Sequence, residues 1–275
     1  MDLLRTRWSD SDTALCVGLD PDLERIPKTA LRGSRPLLDF CCAIVDATAD
    51  AVCAFKPQAA YFAALGLEVD LAELIAYIHA RHPQIPVILD AKRGDIGATA
   101  RLYAREAFLR YGADAVTVSP YLGFESIEPY FDYPDRGVIV LCRTSNPDSA
   151  WLQNYPEEDP MYLRVARGVS EWNRHGNLML VAGATYAGDL GRIRSLVGDM
   201  PLLVPGVGAQ GGDLGAVLQA GLDSSGRGLV INASRAVLYA DLGPDYAMAS
   251  ETVARTLRDD IRRLQREVAP HGAMV

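Results

Sequence analysis

The sequence lacks the features that mark membrane, exported and nucleic-acid-binding proteins. No run approaches the roughly 18 consecutive apolar residues of a membrane-spanning helix, and Met1–Arg7 leads into no signal-peptide core. The five cysteines are odd in number and lack metal-type spacing, so we expect reduced core residues. Basic residues are outnumbered 27 to 35, which argues against a nucleic-acid or acidic-membrane partner. These absences predict a cytoplasmic protein.

Histidine is also scarce, and the four histidines suggest no metal centre. His79 and His82 stand at i, i+3 spacing at the end of an amphipathic segment, with no third ligand nearby. A metal site is one interpretation of this pair, and a solvated helix end is the simpler one. The sequence also offers no sign of a cofactor, so we expect neither a metal nor a cofactor.

The chain has the composition of a globular protein with a large core, at 49% hydrophobic and 23% charged residues over 275 positions. No linker, charge block or repeat divides it, and we expect one domain over residues 1–275. Short apolar runs that end in polar or glycine-rich turns alternate with stretches of helical period. The eight runs are 14–19, 52–55, 87–89, 115–118, 137–141, 178–181, 202–204 and 229–231.

The segments between these runs have the apolar spacing of one helix face, as in Leu37, Phe40, Ile44 and Ala47. Strands that are apolar on both faces and separated by helices imply a parallel sheet. Eight such units fit a closed (β/α)₈ barrel, typically of ~250 residues. A doubly wound open sheet is the alternative, although it usually needs fewer strands. Residues 143–161 are long and polar, and we expect a loop that covers the site.

In such a barrel the active site lies at the C-terminal ends of the strands. Asp90 and Lys92 follow the third run and are two residues apart, so strand alternation sends both side chains to one face. Lys56, after the second run, joins them if that face lines the barrel mouth. Partly desolvated opposite charges are costly unless each is paired. A structural ion network is the alternative, but three charges at the catalytic end favour a reaction site.

Glycines follow the seventh run, where Gly206–Gly211 matches the dinucleotide-binding pattern G-x-G-x-x-G. That pattern normally occurs in the first strand-turn-helix unit, with an acidic residue about 20 positions later, and here it falls in the last quarter of the chain. Its free backbone amides still suit an anion, and barrels often hold phosphate after strands 7 and 8. Arg235, after the eighth run, would add a bidentate contact to a phosphate. The alternative is a surface arginine at a helix start.

With these residues placed, the chain resembles the orotidine 5'-phosphate decarboxylases, in particular their type 2 bacterial branch. Asp90-x-Lys92-x-x-Asp95 is the signature of that family, and its extension through Ile96-Gly97-Ala98-Thr99 makes the match specific. The resemblance covers nearly the whole chain in order. It runs through Gly18-Leu19-Asp20-Pro21, Phe55-Lys56-Pro57-Gln58, Val118-Ser119-Pro120-Tyr121, Pro205-Gly206-Val207-Gly208-Ala209-Gln210 and Ser234-Arg235. Pro120-Tyr121 and Ser234-Arg235 differ from the better-known branch and fit type 2.

The resemblance implies a metal-free, cofactor-free decarboxylase that converts orotidine 5'-phosphate to UMP and CO₂ in de novo pyrimidine biosynthesis. It implies that Lys92 protonates a carbanion at C6 and belongs to a charged tetrad with Lys56, Asp90 and Asp95. It also implies a homodimer in which Asp95, Ile96 and Thr99 reach the site of the partner subunit. In the implied substrate site, Asp20 and Lys56 hold ribose hydroxyls, Ser145 contacts the pyrimidine, Pro205 lines the site, and Gln210 and Arg235 hold the phosphate.

Two other functions stay open at this point. A sugar-phosphate decarboxylase or epimerase on the same barrel also uses Asp-x-Lys-x-x-Asp, but with a divalent metal and further acidic ligands. Lys56 stands where such a relative would be expected to offer an acid. A non-enzymatic phosphate-binding barrel would bind its ligand without turnover.

Overall fold

Each of the eight apolar runs forms a strand in the computed structural model, which describes residues 1–207 and 212–268. The runs are short and rich in Val, Ile and Leu, which suits strands buried on both faces. Every pairing between neighbouring strands is parallel. The strands are β1 Leu15–Leu19, β2 Ala54–Pro57, β3 Ile88–Arg93, β4 Ala115–Val118, β5 Gly137–Arg143, β6 Leu178–Ala182, β7 Leu202–Pro205 and β8 Leu229–Ala233.

The sheet closes on itself into a barrel. Its strand order is β2-β1-β8-β7-β6-β5-β4-β3, and the two end strands meet through bridges that pair Phe55 with Val87 and Gln58 with Asp90. The backbone N–H of Phe55 donates to the carbonyl of Pro86 at 3.1 Å across this seam. The predicted (β/α)₈ barrel is therefore confirmed, and the doubly wound alternative is wrong.

Helices follow the strands and cover the outside of the barrel. The segment with Leu37, Phe40 and Ile44 is helical as its spacing predicts, and Pro36 occupies its first turn, where a missing N–H costs nothing. Among the described residues the α-helices are α1 Asp2–Ser11, α2 Pro36–Thr48, α3 Ala59–Ala63, α4 Glu68–Arg81, α5 Gly97–Arg105, α6 Ala150–Gln153, α7 Met161–Trp172, α8 Ala187–Val197, α9 Leu214–Gly221, α10 Arg235–Leu238 and α11 Tyr246–Val268. In the described part of the chain, none of these helices is long and apolar enough to cross a membrane.

A second core fills the barrel itself and closes its N-terminal end. Inward-facing side chains such as Cys16, Ile88 and Met179 pack there, and Leu4 and Trp8 of α1 seal the bottom. All five cysteines are free thiols, and four of them are buried. Above this packed layer, the C-terminal mouth holds a cavity of about 530 Å³.

Most strands extend further toward this mouth than the apolar runs alone predict, and β2 and β3 do so across charged residues. β2 ends at Pro57 and β3 at Arg93, so Lys56, Asp90 and Lys92 lie within strands and do not follow them. Charged residues remain in these strands because they pair with one another at the mouth. The predicted loop 143–161 is also partly structured, since β5 extends to Arg143 and α6 lies inside the segment.

Candidate active site

The mouth of the barrel holds one buried carboxylate between two ammonium groups. Asp90 Oδ2 accepts a hydrogen bond from Lys56 Nζ at 2.7 Å, and Asp90 Oδ1 accepts one from Lys92 Nζ at 2.6 Å. The Lys56 and Asp90 side chains are 6% and 9% exposed, whereas that of Lys92 is 47% exposed. The three side chains carry a net positive charge and line one cavity.

Strand alternation brings these side chains together. Ala54 and Ile88 belong to the core inside the barrel. Two residues further along their strands, Lys56 and Asp90 point to the same interior, one layer closer to the mouth. The predicted convergence of Lys56, Asp90 and Lys92 is therefore present in the structure.

The buried pair is held in its charged form. Burial alone would raise the pKa of Asp90, but the ammonium groups of Lys56 and Lys92 outweigh burial and keep that pKa well below its usual range. Burial alone would lower the pKa of Lys56, but the carboxylates of Asp90 and Asp20 outweigh it and raise that pKa. Lys56 and Asp90 therefore both stay charged over the neutral pH range.

Thr117 on β4 is a further member of the cluster, and the sequence predictions did not include it. Its hydroxyl donates to Asp90 Oδ1 at 2.9 Å and accepts hydrogen bonds from the backbone N–H groups of Ala91 and Lys92, at 3.0 and 2.9 Å. The signal that would have found it is a polar side chain at an inward position of the run Ala115–Val118.

The cavity above the cluster measures about 530 Å³ and contains most of the predicted substrate residues. Asp20, Ser145, Pro205 and Arg235 all line it. Within the described residues, Oδ1 of Asp20 and Oδ1 of Asn232 are buried in this cavity without a hydrogen-bond partner. Buried acceptors of this kind suit the hydroxyl or N–H donors of a ligand. Asn232 was not among the predicted site residues.

A buried arginine fixes the segment that carries Ser145. Arg143 is 1% exposed, and its guanidinium donates to Asp189 of α8 at 2.9 Å and to the Ser149 hydroxyl at 2.6 Å. The guanidinium also lies over the ring of Tyr186, with 3.6 Å between the guanidinium carbon and the ring centre. Gly183 allows Ser145 to lie close to the end of β6, because a Cβ there would lie 2.8 Å from the Ser145 backbone.

Three predicted residues do not line the cavity of their own chain. Asp95, Ile96 and Thr99 lie just beyond β3, and Asp95 accepts a hydrogen bond from the backbone N–H of Ile96 at 2.8 Å. Ile96 is 50% exposed. Gln210 lies outside the described residues.

The donor set of the cavity suits an anionic ligand. Both oxygens of Asp90 already accept hydrogen bonds from ammonium groups, so its negative charge is balanced within the protein. Residues 1–207 and 212–268 contain no cluster of three or more His, Cys, Asp or Glu side chains that could hold a metal ion. The lysines and Arg235 instead offer positive charge to the space above them.

Comparison with known proteins finds relatives over nearly the whole chain. The sequence profile of the orotidine 5'-phosphate decarboxylase / HUMPS family matches residues 13–250. The orotidine 5'-phosphate decarboxylase of Azoarcus sp. (strain BH72) is 56% identical over 263 residues, covering 95% of this chain and 97% of its own. That of Cupriavidus necator is 55% identical over 262 residues, covering 94% and 96%. The solved structure of Leishmania donovani OMP decarboxylase has a TM-score of 0.84 and 38% identity, covering 96% of this chain and 98% of its own.

The family resemblance drawn from the motifs is therefore confirmed. The family profile spans β1 to β8, and the bacterial relatives match the chain almost from end to end. The chain belongs to the orotidine 5'-phosphate decarboxylase / HUMPS family, as an enzyme of the carboxy-lyase class.

Proposed function

We propose that the protein converts orotidine 5'-phosphate to UMP and CO₂, as a step of de novo pyrimidine synthesis, without a metal or cofactor. The observation that carries this proposal is the array of Lys56, Asp90 and Lys92 at one end of a cavity of about 530 Å³. The names of the relatives supply the substrate.

The reaction needs positive charge at the carbon that loses CO₂. When the bond from C6 to the carboxylate breaks, its electron pair stays on C6, and no adjacent carbonyl delocalises it. The Lys92 ammonium, half-exposed toward the cavity, would stabilise this carbanion and then transfer a proton to C6. Lys92 regains its proton from solvent, so the balance is one proton taken up and one CO₂ released.

Asp90 would orient the proton donor. Its Oδ1 holds Lys92 Nζ at 2.6 Å, and its other oxygen is held by the buried Lys56. A carboxylate beside the departing carboxylate would also disfavour the bound substrate. Fixing Lys92 is the role that these hydrogen bonds support directly.

The rest of the cavity would bind the nucleotide. Asp20, with one unpartnered buried oxygen, would accept a hydrogen bond from a ribose hydroxyl, and the Lys56 ammonium would donate one to the ribose. Ser145 would contact the pyrimidine, and Pro205 would line the site. Arg235, Gln210 and backbone amides of the glycine-rich segment 206–211 would hold the phosphate. Binding energy from the remote phosphate would then help to close the segment 143–161 over the base.

A homodimer would complete the charged tetrad. Asp95, Ile96 and Thr99 do not line the cavity of their own chain, and the helical segment that follows them exposes the apolar residues Leu102 and Leu109. A partner subunit that covers this surface would bury the apolar side chains and receive Asp95 in its own site. We therefore propose that each active site combines residues of two chains.

The test of the proposed function is turnover of orotidine 5'-phosphate in excess chelator, followed by release of CO₂ and formation of UMP. We expect full activity, because fixed lysine charges need no metal. Activity that disappears with chelator and returns with Mg²⁺ would support the metal-dependent sugar-phosphate type of chemistry. Tight UMP binding without any turnover would instead identify a phosphate-binding barrel.

A further inference from the structure

The hydroxyl of Thr117 uses all of its hydrogen-bonding capacity within the charged cluster. A threonine hydroxyl has one hydrogen to donate and two lone pairs to accept with. Here it donates to Asp90 Oδ1 at 2.9 Å and accepts the backbone N–H groups of Ala91 and Lys92 at 3.0 and 2.9 Å. Thr117 is 1% exposed, so water does not replace these partners.

The two amides belong to an irregular part of β3. The register between β3 and β4 shifts between Leu89 and Arg93, and Lys92 has a φ of 47°. A lysine in this left-handed region is costly, and such a conformation persists only where its surroundings stabilise it. Because the shift removes the regular ladder at this point, the amides of Ala91 and Lys92 bond to the Thr117 side chain.

Thr117 therefore holds both the backbone and the carboxylate that orient Lys92. It contacts the Lys92 backbone directly, and it contacts Asp90, whose same oxygen Oδ1 accepts from Lys92 Nζ. We propose that Thr117 is a positioning residue for the decarboxylation, which sets the place of the Lys92 ammonium without contacting the substrate. This inference rests on the proposed function of Lys92.

The expected loss of rate in a Thr117 variant follows from how the reaction uses the charge of Lys92. A preorganised charge stabilises a transition state only if it is aimed at the atom where charge develops. Misplacement by about 1 Å costs on the order of 100-fold in rate. Thr117→Val keeps the branched shape of the side chain but removes the hydrogen bonds to the amides of Ala91 and Lys92 and to Asp90 Oδ1. We therefore expect the bend in β3, which is the left-handed conformation at Lys92, to be lost.

A matched control lies at the opposite end of the barrel. Thr13 is 3% exposed, and its hydroxyl donates to the carbonyl of Ala51 at 2.7 Å and accepts the N–H of Leu15 at 3.2 Å. Thr13→Val removes a similarly buried and bonded hydroxyl far from the cavity. This variant measures how far the loss of a buried, hydrogen-bonded hydroxyl lowers stability when the active site is not involved.

The experiment compares Thr117→Val, Thr117→Ser and Thr13→Val with the wild-type protein in kcat, KM and thermal midpoint. Hydrogen exchange of the segment 88–95 adds a measurement that does not depend on turnover. For Thr117→Val we expect kcat to fall about 100-fold with KM within about threefold, and exchange of this segment to accelerate. Thr117→Ser, which keeps the hydroxyl, should stay within about threefold of wild-type kcat. Thr13→Val should lose thermal stability but not kcat.

The outcomes separate this inference from the proposed function. A wild-type protein without turnover contradicts the decarboxylase proposal, while exchange in the segment 88–95 still shows whether Thr117 holds the bend. If wild-type turnover is robust, unchanged kcat in Thr117→Val overturns the positioning role. That role is also overturned if Thr117→Ser is as slow as Thr117→Val, because the hydroxyl would then not be the cause.

Discussion

The two lysines of the cluster should respond differently to the same substitution. Lys56→Met and Lys92→Met each remove one ammonium while keeping an unbranched side chain of similar volume. Lys56 is buried against Asp90, with side-chain exposures of 6% and 9%, whereas Lys92 is 47% exposed. We therefore expect Lys56→Met to lower stability and activity, and Lys92→Met to lower activity alone.

The burial of each lysine sets how much stability its variant loses. Removing one partner of a buried ion pair costs about 3–5 kcal/mol, and the lower end applies because Asp90 keeps Lys92 and Thr117 as partners. In a protein of this size that is a loss of roughly 10 °C in the unfolding midpoint. The exposed Lys92 pair contributes at most about 1 kcal/mol to stability. The loss of kcat in Lys92→Met should be at least about 1000-fold, since proton donor and facing charge disappear together.

The assay pairs calorimetric unfolding of the two variants with steady-state decarboxylation at neutral pH. Equal losses of midpoint in both variants would refute the argument from burial. If Lys92→Met retains activity within about tenfold of wild type, a barrier change of ~1.4 kcal/mol, Lys92 is not the proton donor.

Three further outcomes follow from the site. Arg235→Ala should lower kcat/KM for orotidine 5'-phosphate by about 100-fold and spare phosphate-free orotidine; equal losses on both substrates would show that this arginine does not hold the phosphate. Refolding Lys92→Ala together with Asp95→Ala should restore about a quarter of wild-type activity per site, since half of the randomly formed dimers are mixed and one of their two sites is intact. Mixed dimers, verified by mass, that stay inactive would place Asp95 in its own chain. Asp90 has a lowered pKa, so its stabilisation is complete above the unfolded value near pH 4 and declines as pH falls toward the folded value. Asp90→Asn should therefore flatten the dependence of unfolding free energy on pH by about 1 kcal/mol per pH unit between about pH 4 and 3, and an unchanged slope in denaturant titrations would contradict this.

The extent of the strands shows where prediction from sequence stops. The apolar runs located all eight strands, but β2 and β3 extend past them to include Lys56, Asp90 and Lys92. A local hydrophobic pattern predicts that a strand ends at its first charged residue, because the pattern carries no information about a partner on another strand. Once Lys56 and Asp90 face each other at 2.7 Å, the charges no longer exclude strand structure.

Thr117 and Asn232 show the same limit within the site. Thr117 was visible as a polar residue inside an apolar run and Asn232 as one directly after a run, yet nothing local distinguishes a bonded core side chain from a member of the active site. The role of Thr117 depends on the register shift that turns two β3 amides toward β4, and a register is set between strands. The unpartnered oxygen of Asn232 is likewise defined only by what surrounds it in the folded chain.

The sequence by itself determined the fold class, the family, and the identity of the charged residues. Eight apolar runs with helical spacers favour a parallel barrel over an open sheet, and the Asp90 to Lys92 spacing predicts that both side chains lie on one face. Only the tertiary structure decided the pairing of Lys56 with Asp90, the bend at Lys92 and its anchor on Thr117. The reason is physical: spacing along a strand fixes direction, whereas hydrogen bonds and pKa shifts depend on distances between strands that close the barrel.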